Sequence, residues 1–314
     1  MPRKEGRYMA AWQHSFRACL IVIIGFFWPI MTLAQDEVVS TSLCADSYVL
    51  ALVEPRQIKA LSWQANSKLS RAPDAVRSLP RAWPSQEVLL SLSPAKIVLG
   101  SGDNIAATSL AEHRGSKAMQ LAPATDFTAI ENNLSKLGEF LNKQGQAKTV
   151  ISSQRIRLQS LQARKQSRHE EPSILYLTPT LGTAGYGTFI DAAIIAAGAR
   201  NFATELGIEN WSRVPLELLA TQQPDLIITS FFRNGSPSIL QFRANHSILK
   251  GLQQKVPQKH IPGGLWVCGG PLLITAAEQI ADALDQRYSI DPKSGHGEFA
   301  SKSLCGFGAS KCDD

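Results

Sequence analysis

Short apolar runs alternate with helical stretches between residues 37 and 125. One such helical stretch, Asp46–Val53, follows the first apolar run. The runs with the length of a strand are Val38–Ser42, Ile58–Trp63, Lys96–Gly100 and Ala118–Ala122. Strands that alternate with helices predict an α/β lobe with a largely parallel sheet.

The pattern changes to helical spacing from Asp126 to about Arg168. Leucine, isoleucine and valine recur there at mostly three- and four-residue steps, no proline interrupts them, and Thr125 or Asp126 supplies an N-cap. This spacing predicts about forty residues of helix. Two interpretations stay open: two packed surface helices that break near Gly145, or one helix that leaves the first lobe and enters a second.

A second α/β block follows Pro172. Its strands are predicted at Ser173–Thr178, at Asp225–Thr229 and at a run that ends with Trp266–Cys268, and its helices at Thr188–Ala197 and Leu272–Leu284. One helix–turn–strand unit occurs in both blocks, since Glu87 precedes Pro94 by seven residues and Glu217 precedes Pro224 by seven. This repeat indicates that the two lobes share one architecture.

The first 34 residues have the pattern of a secretory signal peptide. Four basic residues and one acid precede the uncharged run Cys19–Leu33, and small residues occupy the first and third positions of Thr32-Leu33-Ala34. The alternative is a membrane anchor, but a spanning helix needs about 20 apolar residues and this shorter run contains Pro29. We therefore expect cleavage after Ala34 and export to the periplasm.

Cleavage changes the charge and the cysteine count. The net charge of the 314-residue chain is +6, and it falls to +3 when residues 1–34 leave. Four of the five cysteines remain, which permits two disulfides in three connectivities. The small charge, without a basic stripe, predicts no nucleic-acid partner.

Motifs that carry enzyme chemistry are scarce. The glycine-rich stretch Gly182–Gly187 follows a predicted strand, but it lacks the spacing of a dinucleotide or phosphate loop and is interpreted as a tight turn. There is no nucleophile elbow, and the histidines are dispersed along the chain. We predict no catalytic residue, no metal ligand and no cofactor.

Aromatic residues and one arginine stand at or just after the predicted strand ends. In open α/β sheets, ligands bind beyond the carboxyl ends of the strands, and aromatic walls suit a flat or bulky ligand. The predicted ligand-binding residues are Trp63, Trp83, Tyr186, Phe231, Arg233 and Trp266.

Taken in order, several segments resemble the periplasmic binding proteins of the iron-siderophore and cobalamin ABC importers. The resemblance covers roughly residues 37–287 and is carried by the Glu87 repeat, the long central helix and three short stretches, Val38–Asp46, Thr188–Asp191 and Leu265–Pro271. It implies two α/β lobes with mainly parallel sheets joined by one long rigid helix. It also implies a non-enzymatic monomer that holds a metal chelate (a ferric siderophore, cobalamin or haem) between its lobes.

The resemblance also implies roles and boundaries. Exposed acids at Glu87 and Glu217 would dock on the permease of an ABC importer. The expected parts are a signal peptide (1–34), an N-terminal lobe (35–142), an inter-lobe helix (143–171, helical from about 126), a C-terminal lobe (172–288) and a flexible tail (289–314). The alternatives are a secreted α/β enzyme of unknown reaction and a periplasmic metal-ion receptor.

The four remaining cysteines suggest two disulfides. Cys305 and Cys312 would close a small loop in the tail. Cys44 and Cys268 would join the loop after the first strand to the loop before the last helix. The alternative is that Cys44 and Cys268 are free thiols, which an oxidising compartment disfavours.

Overall fold

The computed structural model describes residues 37–168, 170–230, 251–252 and 254–288. Two regions and two residues of the sequence predictions therefore lie outside the described residues. These are the signal peptide 1–34, the tail 289–314 with Cys305 and Cys312, and the two candidate ligand contacts Phe231 and Arg233.

A five-stranded parallel sheet forms the N-terminal lobe. Its strands are β1 (Val38–Ser40), β2 (Ile58–Ser62), β3 (Arg81–Ala82), β4 (Lys96–Leu99) and β5 (Lys117–Gln120), in the order β3-β2-β1-β4-β5. The helices of this part are α1 (Leu43–Leu52), α2 (Asp74–Arg77), α3 (Gln86–Leu92) and α4 (Ser109–His113). The predicted parallel α/β lobe is confirmed.

The long helical region is two helices that pack against each other. Helix α5 (Phe127–Leu141) ends where Asn142 adopts a left-handed conformation with φ 58°, and α6 (Gln144–Gln166) runs back along it. Arg155 of α6 reaches Glu131 of α5 with an N–O distance of 2.7 Å, which shows the antiparallel arrangement. The interpretation as one continuous helix from residue 126 is therefore wrong, because the chain reverses at Asn142, three residues before Gly145.

A four-stranded parallel sheet forms the C-terminal lobe. Its strands are β6 (Ser173–Leu177), β8 (Arg200–Asn201), β10 (Leu226–Thr229) and β11 (Gln258–His260), in the order β11-β10-β6-β8. The strands β7 (Gly182–Ala184) and β9 (Trp211–Arg213) form a separate antiparallel pair. The helices of this lobe whose full extent lies in the described residues are α7 (Phe189–Ala196), α8 (Phe202–Glu205), α9 (Leu216–Thr221) and α10 (Leu273–Tyr288).

One predicted strand of this lobe is wrong. The last strand ends at His260, and Trp266–Cys268 lies after a short 3₁₀ turn at Gly263–Leu265. The apolar run there is buried because it packs between the lobes, and burial without sheet pairing gives the same sequence pattern as a short strand.

The core is continuous across the two lobes. Val38 and Val98 on one face of the first sheet, and Ile174 and Tyr176 on one face of the second, belong to a single buried cluster that also contains residues of α1, α5, α7 and α10. Alternate residues of the same strands face two smaller clusters on the outer sides. Both sheets are thus covered on both faces, as expected of parallel sheets.

Helix α6 is braced against the last helix by three arginines. Arg157 pairs with Glu278, while Arg164 and Arg168 both pair with Asp285, with N–O distances of 2.6 Å to that carboxylate. Because α6 also contacts α1 and α7, it connects the two lobes with support on several sides.

Candidate functional site

A cleft of about 310 Å³ lies between the carboxyl ends of the two sheets. The N-terminal lobe contributes α1 and the loops after β4 and β5, and the C-terminal lobe contributes the segment before α7, the turn before β9 and the segment before α10. The described lining residues are Cys44, Tyr48, Ser101, Leu121–Thr125, Gly187–Phe189, Asn210, Trp211 and Val267–Gly269. All of these described side chains are uncharged at neutral pH.

The loop Leu121–Thr125 is held in place by a buried asparagine of α5. The side chain of Asn133 accepts a hydrogen bond from the amide of Ala122 at 3.1 Å and donates one to the carbonyl of Ala122 at 2.9 Å. Both backbone polar groups of Ala122 are thereby satisfied. This side of the cleft is therefore built mainly from backbone that an internal side chain positions.

Asp46 ties together the ends of the first two strands. Its carboxylate accepts hydrogen bonds from the hydroxyl of Ser40, from the Ser62 hydroxyl at 2.6 Å and from the Ser62 amide at 2.9 Å. Burial raises the pKa of Asp46, and the hydrogen bonds from Ser40 and Ser62 offset only part of that rise. A second carboxylate, Asp103, accepts from the Thr41 hydroxyl at 2.6 Å and the Gly100 amide at 2.8 Å.

The C-terminal side of the cleft begins at the N-terminus of α7. Thr188 caps that helix by accepting a hydrogen bond from the Asp191 amide at 3.1 Å. The Asp191 carboxylate is buried and accepts from Asn201 at 2.9 Å, which anchors α7 to β8. Gly187 immediately before the cap has φ +82°, a conformation that favours glycine.

Three aromatic rings support this side. Trp211 packs edge-on against Tyr176 with ring centroids 6.4 Å apart, and it lies 5.3 Å from the ring of Phe189 at a tilt of 59°. Tyr176 is fully buried, whereas 54% of the Trp211 surface is exposed. Trp211 therefore offers a fixed aromatic surface to anything that enters the cleft.

The two lobes meet at the base of the cleft. The Tyr48 hydroxyl of α1 donates a hydrogen bond of 2.9 Å to the Gly269 carbonyl. Burial raises the pKa of Tyr48 to about 12, so its hydroxyl remains protonated as the donor. The Sγ atoms of Cys44 and Cys268 lie 2.09 Å apart and their Cα atoms 5.6 Å apart, a separation that a disulfide can span.

A sequence model of the periplasmic binding proteins matches residues 38–247. The chain belongs to the periplasmic binding protein family. No curated protein sequence matches it.

Solved periplasmic binding proteins have a similar fold. The haem-binding protein HutB of Vibrio cholerae has a TM-score of 0.64 at 20% identity, over 80% of this chain and 99% of HutB. The haem-binding protein RhuT from Roseiflexus sp. RS-1 has a TM-score of 0.62 at 18% identity, over 79% and 99%. The vitamin B12-binding protein BtuF of Vibrio cholerae has a TM-score of 0.60 at 18% identity, over 80% and 97%. These similarities establish the two-lobed binding-protein fold.

Three of the predicted ligand contacts are exposed, but none of them lines the cleft. Trp63 (62% exposed) and Trp83 (45%) follow β2 and β3, at the same carboxyl edge of the sheet. Tyr186 (65%) directly precedes the lining residue Gly187. Their contact with a ligand stays a prediction.

Trp266 is misplaced in the predicted contact set. Only 1% of its surface is exposed, its ring packs edge-on against Tyr176, and its indole N–H donates to the Ser230 hydroxyl at 2.8 Å. The indole is enclosed because it packs against Tyr176 and Ser230 of the C-terminal lobe. Trp266 supports the cleft from behind and does not face it.

Sequence reasoning missed the best-placed aromatic residue. The predicted contact set contains neither Trp211, which precedes the Glu217 repeat unit, nor Phe189 and Asn210. The signal was present, since Trp211 precedes that repeat unit as Trp83 precedes the Glu87 unit. Its position became evident only through the β7–β9 pair, which places Trp211 opposite Ala184.

The two predicted docking acids occupy equivalent positions in the two lobes. Glu87 is the second residue of α3 and Glu217 the second residue of α9, and both side chains are exposed. Each helix leads into a central strand of its sheet, β4 or β10.

Two further observations concern the described part of the chain. Within it, no three histidine, cysteine, aspartate or glutamate side chains cluster closely enough to hold a metal ion. None of the helices described combines the length and apolar character needed to span a bilayer.

Proposed function

We propose that this protein captures a metal chelate in the inter-lobe cleft and delivers it to an ABC importer. The chelate is a ferric siderophore, cobalamin or haem. The observation that carries the proposal is the cleft itself: two carboxyl sheet edges face each other across about 310 Å³, with Trp211 exposed on one side. Such edges are where α/β folds bind ligands.

Two lines of support connect this cleft to chelates. Trp211 is backed by Tyr176 and Phe189, so its ring can stack on a flat macrocycle without first losing side-chain freedom. The structurally similar proteins named above bind haem or vitamin B12. Among the described lining residues there is no carboxylate, histidine or lysine to act as an acid or base, and we propose binding without catalysis.

The test is calorimetric titration of the mature protein with haemin, cyanocobalamin and ferrichrome. We expect one of them to bind in a 1:1 complex with a dissociation constant of about 1 μM or tighter. Heat release with ferric or manganous ions alone would favour the metal-ion receptor. A chemically altered ligand, recovered and identified by mass spectrometry, would favour the secreted enzyme. No binding of any of the three chelates would refute the proposal.

Delivery is proposed to depend on Glu87 and Glu217. Charged groups that pair across an interface orient the partners, and one acid on each lobe would fix both lobes on the permease at once. We expect the charge-reversed double variant E87K/E217K to lose chelate uptake in cells while its chelate affinity stays unchanged. A matched control is E54K/E139K, which changes the net charge equally at two other exposed acids. Uptake that survives E87K/E217K, or that E54K/E139K abolishes equally, would contradict docking through this pair.

The proposed location is the periplasm, after cleavage behind Ala34. In that compartment we propose that Cys44 and Cys268 are oxidised to a disulfide and that the mature protein is a monomer. Intact-mass measurement of the secreted protein, with and without reduction before alkylation, checks the cleavage site and the bond. Free Cys44 in the unreduced sample would contradict the disulfide.

A further inference from the structure

The segment 264–271 belongs to the C-terminal lobe and lies against the N-terminal lobe. The segment follows β11. Within the C-terminal lobe, the indole N–H of Trp266 donates a hydrogen bond to the Ser230 hydroxyl, which in turn donates one of 2.6 Å to the Ile261 carbonyl. On the other side it touches α1 and the loop after β5. The segment therefore supplies a contact between lobes that α6 already joins.

Two specific bonds hold Cys268 and Gly269 to the N-terminal lobe. The Tyr48 hydroxyl bonds to the Gly269 carbonyl, and Cys268 is bonded to Cys44. The backbone approaches so closely at Gly269 that a Cβ there would lie 2.1 Å from the Ala124 carbonyl oxygen. Close approach without a side chain supplies little packing area, so we expect the two bonds to contribute most of the attachment.

Empty space lies on both sides of the segment. The ligand cleft lies on one side, with Val267, Cys268 and Gly269 in its lining. On the other side is a cavity of about 250 Å³, lined largely by apolar residues such as Leu50, Leu69 and Leu265. Leu265, Trp266 and Gly270 are buried, whereas Val267–Gly269 are partly exposed beside the cavities, so the position of these three residues depends on their specific attachments.

We propose that the Cys44–Cys268 disulfide is a latch that sets the width of the cleft. By latch we mean a covalent bond that stops the lobes separating at the base of the cleft. The inference rests on the proposed function for its effect on a ligand, but the effect on the segment itself does not require any ligand. An intact latch retains the bound chelate, and a broken latch lets residues 264–271 move and releases the chelate faster.

The bond is open to chemical reduction because both cysteines are partly exposed. A dithiol such as dithiothreitol supplies two electrons and two protons. The S–S bond between Cys44 and Cys268 breaks, each sulfur becomes a thiol, and the dithiol closes to its own cyclic disulfide.

The test compares two double variants of the mature protein by hydrogen exchange without ligand. C44S/C268S removes the latch, and C305S/C312S removes the other two cysteines as a matched control. We expect amide exchange in residues 264–271 to speed up by about tenfold or more in C44S/C268S and to remain unchanged in the control. Equal exchange in C44S/C268S and the parent protein would overturn the latch.

A second readout is the dissociation rate of whichever chelate the parent protein binds. We expect C44S/C268S, or the parent protein after reduction, to release that chelate about tenfold faster, with the control unchanged. An unchanged release rate would overturn the effect on the ligand. Should C44S/C268S fail to fold, reduction of the folded parent protein provides the same comparison, with reduced C305S/C312S as its control. If no chelate binds, the proposed function fails, while hydrogen exchange still decides the latch.

Discussion

The two sides of the cleft are built by different physical means. On the N-terminal side, buried carboxylates and an asparagine position short loops through hydrogen bonds, as Asp46 does for Ser62 and Asn133 does for Ala122. On the C-terminal side, packed aromatic rings around Trp211 form the surface. The difference indicates that the two sides have different roles. Hydrogen bonds on the N-terminal side fix the shape of the cleft, and aromatic rings on the C-terminal side provide the surface that contacts a ligand.

The largest effect on the free energy of unfolding is expected when the hydrogen bonds of the N-terminal side are removed. D46A leaves the Ser40 and Ser62 donors buried without their acceptor, and each such group costs about 1–3 kcal/mol. We expect the free energy of unfolding to fall by about 3 kcal/mol in urea denaturation at pH 7.

The matched control is D74A, because Asp74 is a solvent-exposed aspartate at the start of α2. We expect its free energy of unfolding to change by no more than about 0.5 kcal/mol. Equal losses for D46A and D74A would show that the buried carboxylate does not organise this side.

An intermediate effect is expected on the aromatic side. W211A should weaken chelate binding about tenfold, which corresponds to about 1.4 kcal/mol, because a supported stacking surface is lost. The free energy of unfolding, measured in parallel, separates this loss from a general loss of structure. I156A is the matched control, since Ile156 is an exposed large apolar residue of α6 outside the predicted contacts. W63A tests the other exposed tryptophan, whose contact with a ligand stays a prediction. A larger loss of chelate affinity for W63A than for W211A would show that the chelate binds near the end of β2 instead.

The smallest expected effect concerns the brace behind the aromatic side. Burial raises the pKa of Asp285, but the hydrogen bonds from Arg164 and Arg168 outweigh it and the net pKa lies below 3.8. A depressed carboxyl pKa contributes stability above the unfolded value of 3.8, and this contribution is lost as the pH falls through the folded pKa.

We therefore expect D285N to be less stable than the parent protein at pH 7, by about 1 kcal/mol because the pair is partly exposed. The difference should shrink as the pH falls below about 3.8. Thermal denaturation at pH 7 and pH 3 checks this, with D74N as an exposed control outside the brace. A difference that does not depend on pH would contradict the ion-pair explanation.

The lobes and their repeat could be predicted because local patterns specify them. Buried parallel strands such as β4 and β10 are continuous apolar runs, and a proline marks the turn before each. The reversal at Asn142 could not be predicted in the same way. A polar residue in a left-handed conformation differs little in sequence from a polar position on a surface helix, so the helical spacing continued through it.

The candidate site could be predicted only in part. Exposed aromatic residues after strands, such as Trp63 and Trp83, follow from the rule that strand ends carry ligands. The same rule wrongly assigned Trp266 to the ligand contacts. Its buried segment after β11 has the apolar and aromatic residues that a strand end would also have. Trp211 was missed since its position depends on the antiparallel pairing of β9 with β7.

The sequence by itself determined the α/β class, the two lobes and the equivalence of Glu87 and Glu217, because these depend on local periodicity and on the order of segments. Only the tertiary structure decided which residues meet across the cleft. Tyr48 and Gly269 are separated by 221 positions, and the hydrogen bond between them depends on how the two lobes pack. Such long-range contacts leave no periodic trace in the chain, since they are set by the shape of the core that the lobes share.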